Sequence, residues 1–261
     1  MIPFVHSEYN INSNTVLTVI DFEKIDGTVK SVFDEHFVSI CEGNSGSLLS
    51  NAKKYVIGLF STKPETWIMG ATAEFFVHLY MKLAGYKQEC LYLNTEEGSI
   101  KKGFDGYYTL QGVAWVMESK SGLETSKDVT HAGKVEEAVN DLEDKVTGKY
   151  DAKKKKVVNN PWRNAYLHAN LYDVGTAENV RRNLKLLSDD FICGKYHKLD
   201  EFNTMPCGTV FLSGVWVAPD HEKIRQEIEA IVPKLKGKNV HVVCVTARAI
   251  RMFQEYLEQE E

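Results

Sequence analysis

The sequence predicts an α/β protein, and two features carry this prediction. Near its C-terminal end, strand and helix patterns alternate in the order strand 209–217, helix 220–235, strand 240–246 and helix 248–258. Such alternation indicates parallel strands that are covered by helices on both faces. Upstream, two apolar strand patterns at 104–110 and 113–120 predict a β-hairpin that lies between two helices.

The size and composition of the chain exclude several classes of protein. Its 261 residues approach the upper limit for one hydrophobic core, and its 43% hydrophobic content excludes a disordered chain, a collagen and a disulfide-rich mini-protein. No apolar run has transmembrane length, and no signal peptide is visible in MIPFVHSEYN. The five cysteines form no C-x-x-C pair. We therefore expect a cytoplasmic protein with reduced thiols, no zinc site and no membrane partner.

The first 64 residues are predicted to form a β-rich N-terminal elaboration of a larger unit, residues 65–261. Their strands are indicated by short apolar runs at 16–22, 37–41 and 55–60. The remaining elements are expected in the order helix 66–84, strand 89–95, the hairpin, helix 126–146, an exposed connection 151–160 that carries Lys153–Lys156, and helix 165–187 with a break near Gly175. The apolar face of helix 126–146 is predicted to consist of Val135, Val139, Leu142 and Val146.

The hairpin holds the residues that indicate chemistry. If Gln111-Gly112 is a two-residue turn, Leu110 opposes Val113, and counting outward places Asp105 across from Glu118. Side chains alternate along a strand, so Glu118 and Lys120 share one face of a strand that is otherwise apolar.

Two opposed carboxylates repel each other and destabilise an ordinary sheet. A bound divalent cation such as Mg²⁺ turns this repulsion into ligation. Asp105 and Glu118 are therefore predicted metal ligands, and Lys120 is predicted to position the attacking water near a phosphate, as in metal-assisted phosphodiester hydrolysis.

The spacing of acid and lysine alone is weak support, because the pattern acid-x-Lys occurs three times. Glu143–Lys145 falls at a predicted helix end and Asp151–Lys153 in the lysine-rich connection. Only Glu118–Lys120 combines an apolar strand with an aspartate on the preceding strand. The alternative interpretation of Glu118–Lys120 is a structural ion pair at a sheet edge.

Asp105, Glu118 and Lys120, set between two predicted helices, resemble the PD-(D/E)xK nuclease superfamily, although Phe104 stands where the family name has proline. The pieces Gly-Phe-Asp-Gly and Glu-Ser-Lys more narrowly resemble the HamA nuclease subunits of Hachiman anti-phage defence systems. The resemblance implies a restriction-endonuclease-like core, a central mixed sheet flanked by helices with the hairpin in its middle and a C-terminal β-α-β-α extension. It also implies Mg²⁺-dependent or Mn²⁺-dependent DNA cleavage and a helicase subunit, HamB-like, as partner.

Glu74 is a further candidate, because the superfamily often places a glutamate on its first core helix, facing the metal site. The resemblance implies that Glu74 assists as a metal ligand or through a second metal; the alternative is a partly exposed residue on a weakly polar face. His78, one turn further on, is expected to be an ordinary core histidine.

The acidic residues are concentrated in the first 150 residues of the chain. Residues 1–150 carry 14 Lys+Arg and 21 Asp+Glu, whereas the whole chain has a net charge of −5. This acidity fits a nuclease that relies on its partner to deliver DNA.

Two alternative functions remain open: a non-catalytic nucleic-acid-binding or assembly protein that retains the nuclease fold, and a nuclease for RNA or for repair.

Overall fold

The computed structural model of the chain describes residues 2–93, 103–151, 156–157 and 159–259. Its strands are β1 (Val5–Asn10), β2 (Thr15–Phe22), β3 (Lys87–Gln88), β4 (Gly106–Leu110), β5 (Val113–Leu123), β6 (Tyr150–Asp151), β7 (Lys156–Val157), β8 (Asn203–Phe211) and β9 (Val240–Ala247). Its α-helices are α1 (Gly27–Glu42), α2 (Leu49–Phe60), α3 (Glu65–Leu83), α4 (His131–Val146), α5 (Pro161–Ala169), α6 (Glu178–Ile192), α7 (His221–Ile231) and α8 (Arg251–Glu258).

Seven strands form one mixed sheet in the order β1-β2-β9-β8-β5-β4-β3, and β6 pairs with β7 apart from it. The four strands β2, β9, β8 and β5 run parallel, whereas β1, β4 and β3 pair antiparallel with their neighbours. The α/β class and the mixed sheet flanked by helices are thus confirmed. The expected position of the hairpin in the middle of the sheet is wrong. The middle strand is β8, which is buried along its whole length, as parallel interior strands are.

Each face of the sheet is covered by its own set of helices. The aromatic-rich core on one face joins α1, α2, α3 and α8 to the sheet and includes Met117. On the other face, Val116 packs in a core with α4, α5 and α6, and a third core joins α4 and α7 to β2 and β9. Neighbouring residues of β5 therefore face different layers, with Met117 towards α3 and Val116 towards α4.

The N-terminal segment is more helical than predicted. The run 16–22 is confirmed as strand β2, but 37–41 lies within α1 and 55–60 within α2. Short apolar runs do not distinguish a strand from the buried stripe of a helix, and the error came from treating them as strands. The segment also supplies an interior strand, since β2 pairs in parallel with β9.

Most helices and strands after residue 64 follow the prediction with shifted boundaries. Helix 66–84 is confirmed as α3, and strand 240–246 as β9. The helix predicted from residue 126 begins at His131, because the side chain of Thr130 accepts a hydrogen bond from the backbone N–H of Gly133 at 3.0 Å and caps it. The predicted break near Gly175 is also found, between α5 and α6, where Gly175 adopts a left-handed conformation with φ of 61°.

Two predicted strands are misplaced. Strand β8 ends at Phe211, and Val215 and Val217 lie exposed beyond it. The first half of β8 was not predicted as a strand, because it contains Pro206. Proline donates no backbone hydrogen bond and is rare in interior strands. The strand predicted at 89–95 is also misplaced, because the observed strand β3 ends at Gln88. Beyond it, the backbone N–H of Tyr92 donates a hydrogen bond of 3.0 Å to the backbone oxygen of Ile40 in α1. Residues 94 and 95 lie outside the described residues.

No helix in the described part of the chain is both long and apolar enough to span a bilayer.

Candidate functional site

The hairpin has the register that the sequence predicts. Leu110 pairs with Val113, and the ladder continues outward to the pair Gly106–Met117. Gln111 and Gly112 both have positive φ, 50° and 81°, as the tight two-residue turn requires. Asp105 directly precedes β4, and its Oδ2 accepts a hydrogen bond of 2.9 Å from the backbone N–H of Ser119. Asp105 is thereby fixed beside Glu118 at the open end of the hairpin.

Glu118 and Lys120 share the face of β5 that α4 covers, and both contact residues of that helix. Lys120 Nζ lies 2.8 Å from Glu118 Oε1 and 2.5 Å from Asp141 Oδ2. Lys145 Nζ lies 2.5 Å from Glu118 Oε2 and 3.4 Å from Asp141 Oδ2. We call Asp105, Glu118, Lys120, Asp141 and Lys145 the carboxylate–lysine cluster.

Burial controls the charge of Glu118. Its side chain is only 2% exposed, and burial, with the negative charge of Asp105 as the second cause, raises the pKa of Glu118 to about 8 against the attraction of the two lysines. The pKa of Lys120 and of Lys145 is raised, because the surrounding carboxylates outweigh the opposing effect of burial. The pKa of Asp141 is held well below its usual range: burial acts to raise it, but a hydrogen bond with Glu118 and the two ammonium groups outweigh that effect.

Strand β8 brings α4 close to the cluster. Glu118 pairs with Pro206 and Lys120 with Gly208 on this parallel neighbour. A Cβ atom at Gly208 would lie 2.8 Å from the backbone oxygen of His131, in the first turn of α4. The helix can pack this closely only because residue 208 is glycine.

Asp141 and Lys145 were not predicted as site residues. The Glu143–Lys145 match was interpreted as part of a helix end, and Glu143 does contact Lys236 instead, at 2.6 Å. Lys145 instead reaches Glu118. A signal was available, because Asp141 and Lys145 lie one helical turn apart, each next to a residue of the predicted apolar face.

Glu74 has its contacts on the α3 face of the sheet. It is buried on α3, and His78 Nε2 lies 3.2 Å from its Oε1. His78 Nδ1 in turn lies 2.5 Å from the hydroxyl of Tyr108, whose partner across the hairpin is Trp115, on the face of the sheet opposite to Glu118. Burial raises the pKa of Tyr108, and the charges of Glu74 and Asp105 both add to this effect. The role of Glu74 as a metal ligand stays a prediction. His78 is fully buried, as predicted for a core histidine.

Of the three predicted metal ligands, Asp105 and Glu118 belong to the carboxylate–lysine cluster. Within the described ranges, no group of three or more His, Cys, Asp or Glu residues is arranged to hold a metal ion. Of the lysine-rich connection, Lys153, Lys154 and Lys155 lie outside the described residues, and Lys156 belongs to the short strand β7.

Comparison with known proteins adds no assignment: no protein-family model matches the chain, and no curated protein matches it.

Proposed function

We propose that this chain is a Mg²⁺-dependent nuclease that hydrolyses phosphodiester bonds in DNA. The observation that carries the proposal is the environment of Glu118, a buried carboxylate that lies beside Asp105 and contacts Lys120 at 2.8 Å. A buried carboxyl group beside a second carboxylate is an arrangement typical of functional sites, and here Lys120 and Lys145 offset part of its cost to the fold.

The two carboxylates fit Mg²⁺ chemically. Mg²⁺ is commonly held by one or two carboxylates and takes its other ligands from water and substrate phosphates. Asp105 and Glu118 would supply these oxygens, and Mn²⁺ accepts the same ligands. When bound, the cation would supply positive charge for the phosphate and lower the pKa of water.

The lysines of the cluster have distinct proposed roles. Lys120 positions the attacking water and neutralises charge that develops on the phosphate. Asp141, 2.5 Å from Lys120 Nζ, acts as a positioning residue that holds the ammonium group beside Glu118. The positive charge of Lys145 balances the negative charge on the second oxygen of Glu118.

The proposal extends to the family and to the biological role. A mixed sheet whose hairpin carries Asp105 and Glu118-x-Lys120 between α3 and α4 supports a restriction-endonuclease-like core. The Gly-Phe-Asp-Gly and Glu-Ser-Lys pieces support a role as the nuclease effector of a Hachiman-type defence complex with a helicase subunit. A cytoplasmic site of action fits, since all five cysteines are free thiols. Assays of the chain with and without its operon neighbour test this part, and identical activity would count against it.

DNA is proposed as the substrate on the strength of the resemblance. The cluster itself addresses a phosphate, which DNA and RNA share. Parallel assays with DNA and RNA of one sequence separate a DNA nuclease from the alternative RNA nuclease.

The direct test is plasmid degradation by the purified chain in Mg²⁺ and in EDTA. We expect cleavage in Mg²⁺ only, and a loss of at least about a hundredfold in Lys120→Ala. The matched control is Lys149→Ala, which removes an exposed lysine paired with Asp144 near the end of α4 and should retain full activity. Equal degradation by the wild-type chain and Lys120→Ala would reveal a contaminant and remove the support for the proposal.

A second candidate is a non-catalytic protein in which the cluster only stabilises the fold. The observation in its favour is that both oxygens of Glu118 are contacted by ammonium groups. Glu118→Gln distinguishes the two: loss of cleavage by a folded variant supports the enzyme, whereas an unfolded variant together with an inactive wild-type chain supports the structural cluster.

A further inference from the structure

A cavity lies apart from the carboxylate–lysine cluster, on the α3 face of the sheet. Its volume is about 420 Å³, within the range of small-molecule sites. It lies between the end of α3 and the start of strands β2, β5 and β9. Tyr80, Tyr86, Trp115 and His241 form aromatic walls, and Glu8 of β1 stands at its rim. None of these residues takes part in the proposed nuclease reaction.

A continuous chain of hydrogen bonds links the polar groups of this cavity. The hydroxyl of Tyr80 donates to Glu8 Oε1 at 3.1 Å and also lies 3.1 Å from Thr18 Oγ1. Thr18 Oγ1 lies 2.9 Å from His241 Nε2, and His241 Nδ1 lies 3.0 Å from the hydroxyl of Tyr86.

The direction of every bond follows from the carboxylate at one end. Tyr80 gives its single hydroxyl proton to Glu8, so the proton between Tyr80 and Thr18 comes from Thr18. Thr18 must then accept from Nε2–H of His241. Burial lowers the pKa of His241 to about 4, against the weaker opposite effect of Glu8, so the ring is neutral and its Nδ1 accepts from Tyr86.

This directionality fixes what the cavity offers to a ligand. The hydroxyl protons of Tyr80, Thr18 and Tyr86 are all engaged, which leaves lone pairs on the oxygen of Tyr86 and on the Glu8 carboxylate. Among the described residues, the indole N–H of Trp115 has no hydrogen-bond partner and is the one other polar group to consider in this wall. With His241 neutral, Glu8 is the charged residue among those that line the cavity. The remaining rim residues Ser13, Asn14 and Asn239 are uncharged.

We propose that this cavity binds a small organic cation whose flat, apolar body carries N–H donors, of the amidinium or guanidinium class. The aromatic walls contact its body and attract its charge. Glu8 and the oxygen of Tyr86 accept its N–H groups, and its positive charge attracts the Glu8 carboxylate. A neutral ligand lacks this attraction between full charges, and an anionic ligand is repelled.

Three probes of one shape test the proposal by calorimetric titration of the whole chain: benzamidine, which is a cation at neutral pH, neutral benzamide and anionic benzoate. We expect benzamidine to bind with a millimolar or lower Kd, benzamide at least about tenfold more weakly, and benzoate without measurable heat. Absence of saturable benzamidine binding, or benzoate binding as tightly as benzamidine, overturns the proposal.

Variants assign the binding to this cavity. Glu8→Gln keeps the shape of an exposed rim side chain and removes its charge, so benzamidine affinity should fall at least about tenfold. Glu23→Gln, an exposed glutamate that does not line the cavity, is the matched control and should bind as the wild-type chain does. Unchanged affinity in a Glu8→Gln variant with a wild-type thermal transition would place the binding elsewhere. Glu118→Gln should leave benzamidine affinity unchanged, which keeps this test independent of the nuclease proposal.

Discussion

Lys145 lies 2.5 Å from Oε2 of Glu118, the carboxylate oxygen that Lys120 does not contact. The two ammonium groups thus take one oxygen of Glu118 each. A divalent cation that binds Glu118 would therefore compete with both ammonium groups for the carboxylate. Lys145, which belongs to the neighbouring helix α4, has no proposed role in positioning the attacking water.

The first prediction is that Lys145→Met tightens metal binding. Removing a competing positive charge should raise Mn²⁺ affinity by roughly tenfold, measured by calorimetry or by the free Mn²⁺ signal in electron paramagnetic resonance. Lys149→Met, which loses an exposed lysine on the same helix end, should leave the affinity unchanged. Equal or weaker binding by Lys145→Met would contradict competition between Lys145 and the cation.

The second prediction concerns the stability of the metal-free chain against pH. The pKa of Glu118 is about 8 in the folded chain against an ordinary 4.5, so between these values the folded state holds a proton that the unfolded state has lost. The free energy of unfolding of the wild-type chain, relative to Glu118→Gln, should therefore fall as pH rises from about 4.5 to about 8 and then level off. Urea unfolding of both proteins in EDTA across this range measures the difference. A difference that stays constant across this range would show that Glu118 is ionised in the folded chain.

The third prediction tests the close approach of α4 to β8. Gly208→Ala puts a Cβ 2.8 Å from a backbone oxygen of α4 and should cost about 1–3 kcal/mol in the free energy of unfolding. The shift of α4 should also reduce cleavage, because it moves Asp141 and Lys145. The matched control is Gly58→Ala in the exposed part of α2, where an added Cβ meets no atom within 4 Å. That variant should gain about 0.5–1 kcal/mol, and similar unfolding midpoints for the two variants would refute the close packing.

The fourth prediction separates the two buried glutamates. Glu118→Gln should abolish Mg²⁺-dependent cleavage, whereas Glu74→Gln should keep activity within about threefold, because Glu74 contacts His78 on the α3 face of the sheet. Plasmid cleavage by each variant, with circular dichroism as the folding control, decides the point. Comparable losses in two folded variants would show that Glu74 does contribute to the reaction.

The sequence predicted the parts of the fold that depend on local pattern. The register of the hairpin follows from side-chain alternation and a two-residue turn, so Asp105 and Glu118 were correctly placed beside each other. Helix α3 and strand β9 were found because their apolar runs are long or bounded by clear breaks. These elements needed no knowledge of their neighbours.

The features that the sequence did not predict are those whose position depends on tertiary contacts. Strand β8 contains Pro206, which local propensity reads as a strand breaker, and its pairing on both sides overrides that preference. Lys145 joins the site only because α4 packs across β5, a relationship between two elements that no local pattern reveals. The position of Glu74 relative to the cluster depends in the same way on how α3 packs on the whole sheet.

The sheet order has a consequence for biosynthesis. Strand β2 is made early and β9 near the end of the described chain, yet they are neighbours, and β9 also separates β2 from β8. While the ribosome is still making the later segments, β2 and β8 each keep an open hydrogen-bonding edge. The nascent chain must therefore be protected from intermolecular strand pairing until β9 emerges and closes the gap.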